Sequence, residues 1–130
     1  MFIDASALLA ILLKEPDAQR FSRELENADR LYTSPIATFE MVSAVVRERG
    51  LSGRDAQRAV DRALQIAGVE VIPITREIGN LALAAFEKFG KGRGHKAQLN
   101  MGDCFAYSCA KSLGIPLLYK GNDFAQTDLA

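Results

Sequence analysis

The sequence predicts an α/β fold, a three-layer α/β/α sandwich around a mainly parallel, short-stranded sheet, built as one domain over residues 1–130. Three observations carry this. Short apolar runs recur along the chain: Phe2–Ile3, Leu31–Thr33, Val69–Ile72 and Leu117–Tyr119. Between them lie longer stretches with helical apolar spacing and clear start and stop signals. The chain has 130 residues and is 48% hydrophobic, enough for one real core and too apolar for bulk disorder.

Phe2 and Ile3 begin a first strand, with Asp4 at its carboxyl end. Ala5 to Leu13 is almost wholly apolar and reads as a central, buried helix. Pro16 is expected to open the next helix, where its missing N–H costs nothing, with Ala18, Phe21, Leu25 and Ala28 as its apolar stripe. After the weakly signalled strand at Leu31–Thr33, Ser34 caps and Pro35 opens a third helix that runs to Arg49 and stops at Gly50. Ser52 caps a fourth helix with Ala56, Ala59, Val60, Ala63 and Ala67 as its apolar positions, ended by Gly68. The strand at Val69–Ile72 is stopped by Pro73. Thr75 then caps a fifth helix that places Ile78, Leu81, Ala82, Ala85, Phe86 and Phe89 inward and ends at Gly90. A Gly-rich basic loop, GKGRGHKAQ, leads to the most informative stretch, LNMGDCFAYSCAKSLGIPLLYKGNDF. Asn100 or Gly102 opens its helix, Gly114 closes it, and Pro116 prevents its continuation. Asp103 shares a face with Ala106, Tyr107, Ala110 and Leu113, the residues expected to pack on the sheet.

Composition narrows the function classes. Sixteen basic and sixteen acidic residues give zero formal charge, so any nucleic-acid surface must be local. Cys104 and Cys109 lie about 140° apart around a helix and do not chelate one metal together; they read as buried hydrophobes of a reducing compartment. The N-terminal stretch lacks a basic leader, and the apolar run from Ala7 to Leu13 is too short to span a bilayer. A cytoplasmic location with no membrane partner is the expectation.

Right-handed crossovers place the carboxyl ends of parallel strands on one edge, where open α/β folds gather ligands. Asp4 and Asp123 fall on that edge, and Asp103 reaches it from a helix N-terminus. Glu40, in an otherwise apolar helix, is the fourth candidate. Each has an ordinary alternative. Asp4 is a good N-cap, a job Ser6 can share. Asp103 complements a helix dipole, and Asp123 suits a turn. Glu40 can join Ser43 and Arg47 in a solvated stripe. Taken together, carboxylates about 4 Å apart repel by a few kcal/mol each at an effective dielectric near 20. A hard divalent cation resolves this, and an all-oxygen set suits Mg²⁺ or Mn²⁺ rather than zinc. Phosphodiester hydrolysis is the chemistry such an ion supports. Lys88, Lys91, Arg93, His95 and Lys96 form a basic patch just before Asp103, suited to RNA phosphates or simply to solvent; GKGRG is not a P-loop, for it lacks the GK[ST] ending.

The stretches FIDASALLAILLKEP, SPIATFEMVSAVV and HKAQLNMGDCFAYSCAKSLGIPLLYKGNDFAQTDL together resemble PIN-domain ribonucleases, specifically the VapC toxins of type II toxin–antitoxin modules. The resemblance covers essentially the whole chain. It implies the PIN form of the α/β/α sandwich and a Mg²⁺- or Mn²⁺-dependent endoribonuclease acting on tRNA or rRNA. A VapB-like antitoxin as inhibitor and a homodimer are implied as well. By position, Asp4, Glu40 and Asp103 would be the core metal-binding acids, with Asp4 and Asp103 the foremost metal ligands. Asp123 would be the fourth acid, with Asp128 as a competitor for that role, and Ser6 the hydroxyl supporting the first acid. Asn122 stands where many relatives carry a second acid. Lys91, Arg93, His95, Lys96 and Lys120 are the expected RNA contacts.

Two other readings compete. A phospho-receiver domain would share the size, the acids at strand ends and a late lysine like Lys120. VEVIPITRE, however, offers no phosphoacceptor Asp after a central strand. A PIN-like module that binds protein or RNA without cutting it would have no need of divalent-metal affinity.

Overall fold

Four strands, β1 (Phe2–Ile3), β2 (Leu31–Thr33), β3 (Val69–Val71) and β4 (Leu117–Leu118), lie side by side in the computed structural model, which describes residues 1–129. All pairings are parallel and the order is β3-β2-β1-β4. The chain starts in the middle of the sheet, moves outward through β2 and β3, and then returns to the far side of β1. That reversal makes a topological switch point between β1 and β4. Asp4 leaves β1 at this point, its N–H donating to the Leu118 carbonyl at 2.9 Å.

Six helices cover the sheet: α1 (Ala5–Leu12), α2 (Ala18–Asn27), α3 (Pro35–Arg49), α4 (Gly53–Ala67), α5 (Arg76–Phe89) and α6 (Met101–Leu113). The period-two alternation of the strands sorts side chains between two cores. Phe2, Ile72 and Leu117 face α5 and α6, in a core with Phe89, Leu99, Cys109 and Phe124. Ile3, Leu31 and Leu118 face the other layer, with Leu8, Phe21, Met41, Val60 and Leu64. Full burial of a side chain such as Phe21 or Met41, both 0% exposed, contributes about 1.5–3 kcal/mol relative to leaving it in water. Both cysteines are free and buried, as the sequence predicts. Among the described residues, no helix is long and apolar enough to cross a membrane.

The capping signals hold in detail. Ser34 Oγ accepts from Ala37 N, Ser52 Oγ from Asp55 N, and Thr75 Oγ1 from Ile78 N, at 3.1, 3.1 and 3.2 Å. Each such cap is worth about 1 kcal/mol. Gly50, Gly68 and Gly114 close α3, α4 and α6 in the left-handed conformation.

Four expectations are corrected. Helix α2 starts at Ala18 rather than Pro16, because the side chain of Asp17 makes no capping bond and is turned to Lys120 instead. Strand β4 ends at Leu118, since Tyr119 leaves the sheet to pack its ring 5.0 Å from that of Phe124. Leu113 is 40% exposed, at the end of α6 beyond the sheet's cover, and Leu81 and Phe86 of α5 are likewise exposed. Ala59 of α4 is solvent-facing, with Ala56, Val60 and Leu64 supplying the inward stripe.

Candidate active site

The acids at the switch point are held by the same bonds that start the helices. Asp4 is the N-cap of α1, and its Oδ2 accepts from Ser6 N at 3.1 Å and from the Ser6 hydroxyl. Capping and site placement therefore coincide at Asp4. Asp103 does the same at α6 through a full capping box: Asn100 Oδ1 accepts from Asp103 N at 2.8 Å, and Asp103 Oδ2 accepts from Asn100 N at 3.0 Å. Thr33, fully buried beside Asp4, donates from Oγ1 to the Ile3 carbonyl at 3.0 Å and so fixes the end of β1.

Glu40 comes from α3 and is half-buried, while Ser43 and Arg47 are exposed. The solvated-stripe reading therefore does not hold for Glu40. Its carboxylate lies against α6 where Gly102 leaves room: a methyl group built on Gly102 would sit 2.4 Å from Glu40 Oε2. This close approach of α3 to α6 is a contact that sequence spacing alone does not reveal.

Electrostatics ties the four acids together. Burial, then the charges of Asp4 and Asp103, pushes the Glu40 carboxyl up to about 7. Burial likewise raises Asp103 to about 6, aided by Asp123 and Asp4 and opposed by the Asn100 bond. Asp4 is also raised, by burial first and by Asp123 last, against the bonds from Ser6. Asp4 and Asp103 are only 6% and 8% exposed, and among the described residues none of the four acids has a salt-bridge partner. The carboxylates do not close into chelating contact: among the described residues no group of three His, Cys, Asp or Glu side chains stands ready-made around an ion. The donor set, all carboxylate and hydroxyl oxygen, is chemically suited to Mg²⁺ or Mn²⁺.

Asp128 is engaged elsewhere. It accepts from Tyr107 OH and Lys111 Nζ, both at 2.6 Å, further along α6. Those partners, Lys111 first, hold its carboxyl below the usual range. Asp123 is the acid of the C-terminal segment that couples to Asp4 and Asp103.

The basic residues are less uniform than the sequence suggests. Lys91 and Lys96 are exposed and, among the described residues, unpaired. Arg93 is paired with Glu87 at 2.8 Å. His95 accepts from Ala97 N at 3.0 Å and packs edge-on to Phe89 at 4.9 Å, which gives it a part in shaping the loop. Lys120 differs from the loop lysines: its ammonium is held by Glu15 at 2.7 Å and Asp17 at 3.2 Å. Sequence reasoning missed Glu15, Asp17, Thr33 and Asn100's reciprocal bond to Asp103. For the first two the signal was absent, because Glu15 and Lys120 meet across more than a hundred residues.

A parallel sheet with carboxylates from a strand end, two helices and a late loop meeting at its switch point is the arrangement of a PIN domain. The PIN domain family model matches residues 1–129, and the chain belongs to that family. Its relatives are VapC ribonucleases. Ribonuclease VapC30 of Mycobacterium tuberculosis is 42% identical over 130 residues, covering 100% of this chain and 96% of the relative. A VapC ribonuclease of Rhizobium meliloti is 40% identical over 139 residues, covering 98% of each chain. In fold, the chain is similar to Mycobacterium tuberculosis VapC20, described as a sarcin-ricin loop cleaving toxin, with TM-score 0.73, 18% identity, and 95% and 92% of the two chains covered. A toxin–antitoxin complex from Klebsiella pneumoniae matches with TM-score 0.72 at 16% identity, covering 98% and 92%. The phospho-receiver reading is set aside.

Proposed function

We propose that this chain is the toxin of a VapBC-type pair, an endoribonuclease that hydrolyses phosphodiester bonds in tRNA or rRNA with Mg²⁺ or Mn²⁺. The observation that carries the reading is the cluster of Asp4, Glu40, Asp103 and Asp123, buried or half-buried for its first three members and, among the described residues, without a salt-bridge partner. Folding such a cluster is costly unless a cation joins it. A bound divalent ion supplies Lewis acidity toward a phosphate and lowers the pKa of a nearby water.

The protein's own groups do the remaining work. Asp4 and Asp103 would hold the ion, each fixed in place by its helix-capping bonds. Glu40, whose carboxylate faces α6 beside Gly102, would take the proton released by the attacking water or help to hold the ion. Asp123 reaches the crevice from the open side, where it can orient water. Ser6 locks the Asp4 carboxylate in one orientation. Lys91 and Lys96 offer free positive charge to an RNA backbone.

A VapB-like antitoxin is the expected partner, since a cytoplasmic nuclease of this kind must be restrained. Self-association is inferred as well. A groove of about 300 Å³ between α5 and α6 is lined by Leu83, Phe86, Met101 and Phe105, an apolar surface suited to a second copy of the chain. Light scattering of the purified protein tests that inference.

The function is tested by incubating total tRNA and rRNA with the full chain and Mn²⁺ or Mg²⁺. Discrete fragments, lost with EDTA and with Asp103→Asn, are expected. Intact RNA, from folded protein shown to bind Mn²⁺ and to be free of antitoxin, would favour a non-cutting binding module.

A further inference from the structure

Resting on the nuclease reading, we propose that Lys120 is a positioning residue for the acid cluster, clamped by Glu15 and Asp17 so that it holds both Ser6 and the loop carrying Asp123. Its two ends act at opposite ends of α1. The main-chain N–H donates to Ser6 Oγ at 3.0 Å, and that hydroxyl in turn donates to Asp4 Oδ2. The ammonium donates to Glu15 Oε2 at 2.7 Å and sits 3.2 Å from Asp17 Oδ1, in the connection between α1 and α2.

The loop needs such an anchor. After Leu118 the chain leaves the sheet, and Gly121 turns it sharply at φ 95°. Asp123 is exposed, so packing of its own side chain does not place it. Its position is set by what grips the chain on either side. Phe124, 1% exposed and packed on Tyr119, is one grip, and Lys120 is the other.

The clamp also explains two features of the α1–α2 connection. Asp17 does not cap α2, although Asp is a favoured capping residue, because its carboxylate is committed to Lys120. Asp17 Oδ1 is closed off from solvent, and the Lys120 ammonium at 3.2 Å is the cation nearest it, while Arg20 lies 3.6 Å from the other oxygen, Oδ2. Removing that ammonium takes away the cation shared by two half-buried carboxylates and leaves only the exposed Arg20, 3.6 Å from Asp17 Oδ2, beside them, which loosens the tie between the loop and α1. With both carboxylates engaged, Lys120 also lacks a free charge to offer RNA.

The test compares Lys120→Met, Lys120→Arg and the double variant Glu15→Gln/Asp17→Asn in the full chain. Three quantities are read: kcat and KM on a fluorogenic single-stranded RNA oligonucleotide that the wild type cleaves with Mn²⁺, Mn²⁺ affinity by calorimetry without RNA, and the folded fraction at assay temperature. A positioning role predicts that Lys120→Met loses about 10–100-fold in kcat with KM changed less than about twofold, and binds Mn²⁺ more weakly. Lys120→Arg restores most of the loss, and the Glu15/Asp17 variant reproduces it although it keeps the lysine. The proposal is overturned if Lys120→Met raises KM alone while the Glu15/Asp17 variant cleaves normally, which marks a phosphate contact. It is equally overturned if every loss tracks the folded fraction. Absence of wild-type cleavage would sink the nuclease reading instead, and the Mn²⁺ affinities would still decide whether Lys120 positions the acids.

Discussion

Two aspartates sit against α6, Asp103 in its first turn and Asp128 from the C-terminal tail, in opposite electrostatic states. Asp103 is buried near the other acids, has no salt-bridge partner among the described residues, and is raised to about 6. At the far end, Asp128 is met by the Lys111 ammonium and the Tyr107 hydroxyl, and its carboxyl is held below the usual range. Lys120 with Glu15 and Asp17 repeats the second pattern on the other side of the sheet edge. The chain thus neutralises acids where they serve only to fasten segments together. It leaves them uncompensated at the switch point, where, on the function proposed above, repulsion is the cost of a cation site.

The largest effect should come from removing an uncompensated acid. Asp103→Asn is expected to lower RNA cleavage by about 100-fold or more, since it removes an oxygen that would hold the ion. The same substitution should raise the melting temperature of the metal-free chain, because a repelling charge is lost. A variant that loses both activity and stability would mean that Asp103 serves the fold instead.

A second, smaller effect concerns pH. Glu40 and Asp103 bind protons more tightly in the folded chain than their ordinary values of 4.5 and 3.8 allow. Their contribution to stability is therefore fully present below those values and is lost as pH rises through about 6 and about 7. Metal-free protein should melt at progressively lower temperature from pH 5 to pH 8, and saturating Mn²⁺ should reverse the decline. A flat profile in the metal-free chain would contradict the assigned shifts.

Asp128 should behave with the opposite sign. Its depressed value contributes stability above its ordinary 3.8 that is lost as pH falls through the folded value. Because the Lys111 pair is largely exposed, Asp128→Asn should cost about 1 kcal/mol or less at neutral pH, read from urea midpoints. RNA cleavage measured alongside should change far less than in Asp103→Asn.

The contrast between the two ends of α6 also marks what the sequence could convey. Asp4 and Asp103 were legible because a helix-capping residue is written in local order: an acid after Phe2–Ile3, and an Asn three residues before Asp103. The limits of α3, α4 and α5 came through for the same reason, from Ser34, Ser52, Thr75 and the closing glycines. Glu40 was ambiguous, since α3 has apolar residues on several faces and its periodicity does not single out the side that meets Gly102. The choice between Asp123 and Asp128 depended on Tyr107 and Lys111 reaching across to the tail, a matter of three-dimensional contact. Lys120 was read as a free cation because its partners lie 105 and 103 positions away in the chain. Long-range pairs of this kind leave no local spacing to read.

The most direct measurement is Mn²⁺ binding to the metal-free full chain above pH 7, followed by calorimetry beside the Asp103→Asn variant. Saturable binding to the wild type that is lost or strongly weakened in Asp103→Asn is the predicted result. Equal binding by both proteins, or no saturable binding by a folded wild type at millimolar Mn²⁺, would contradict the assignment of the switch-point acids as a cation site.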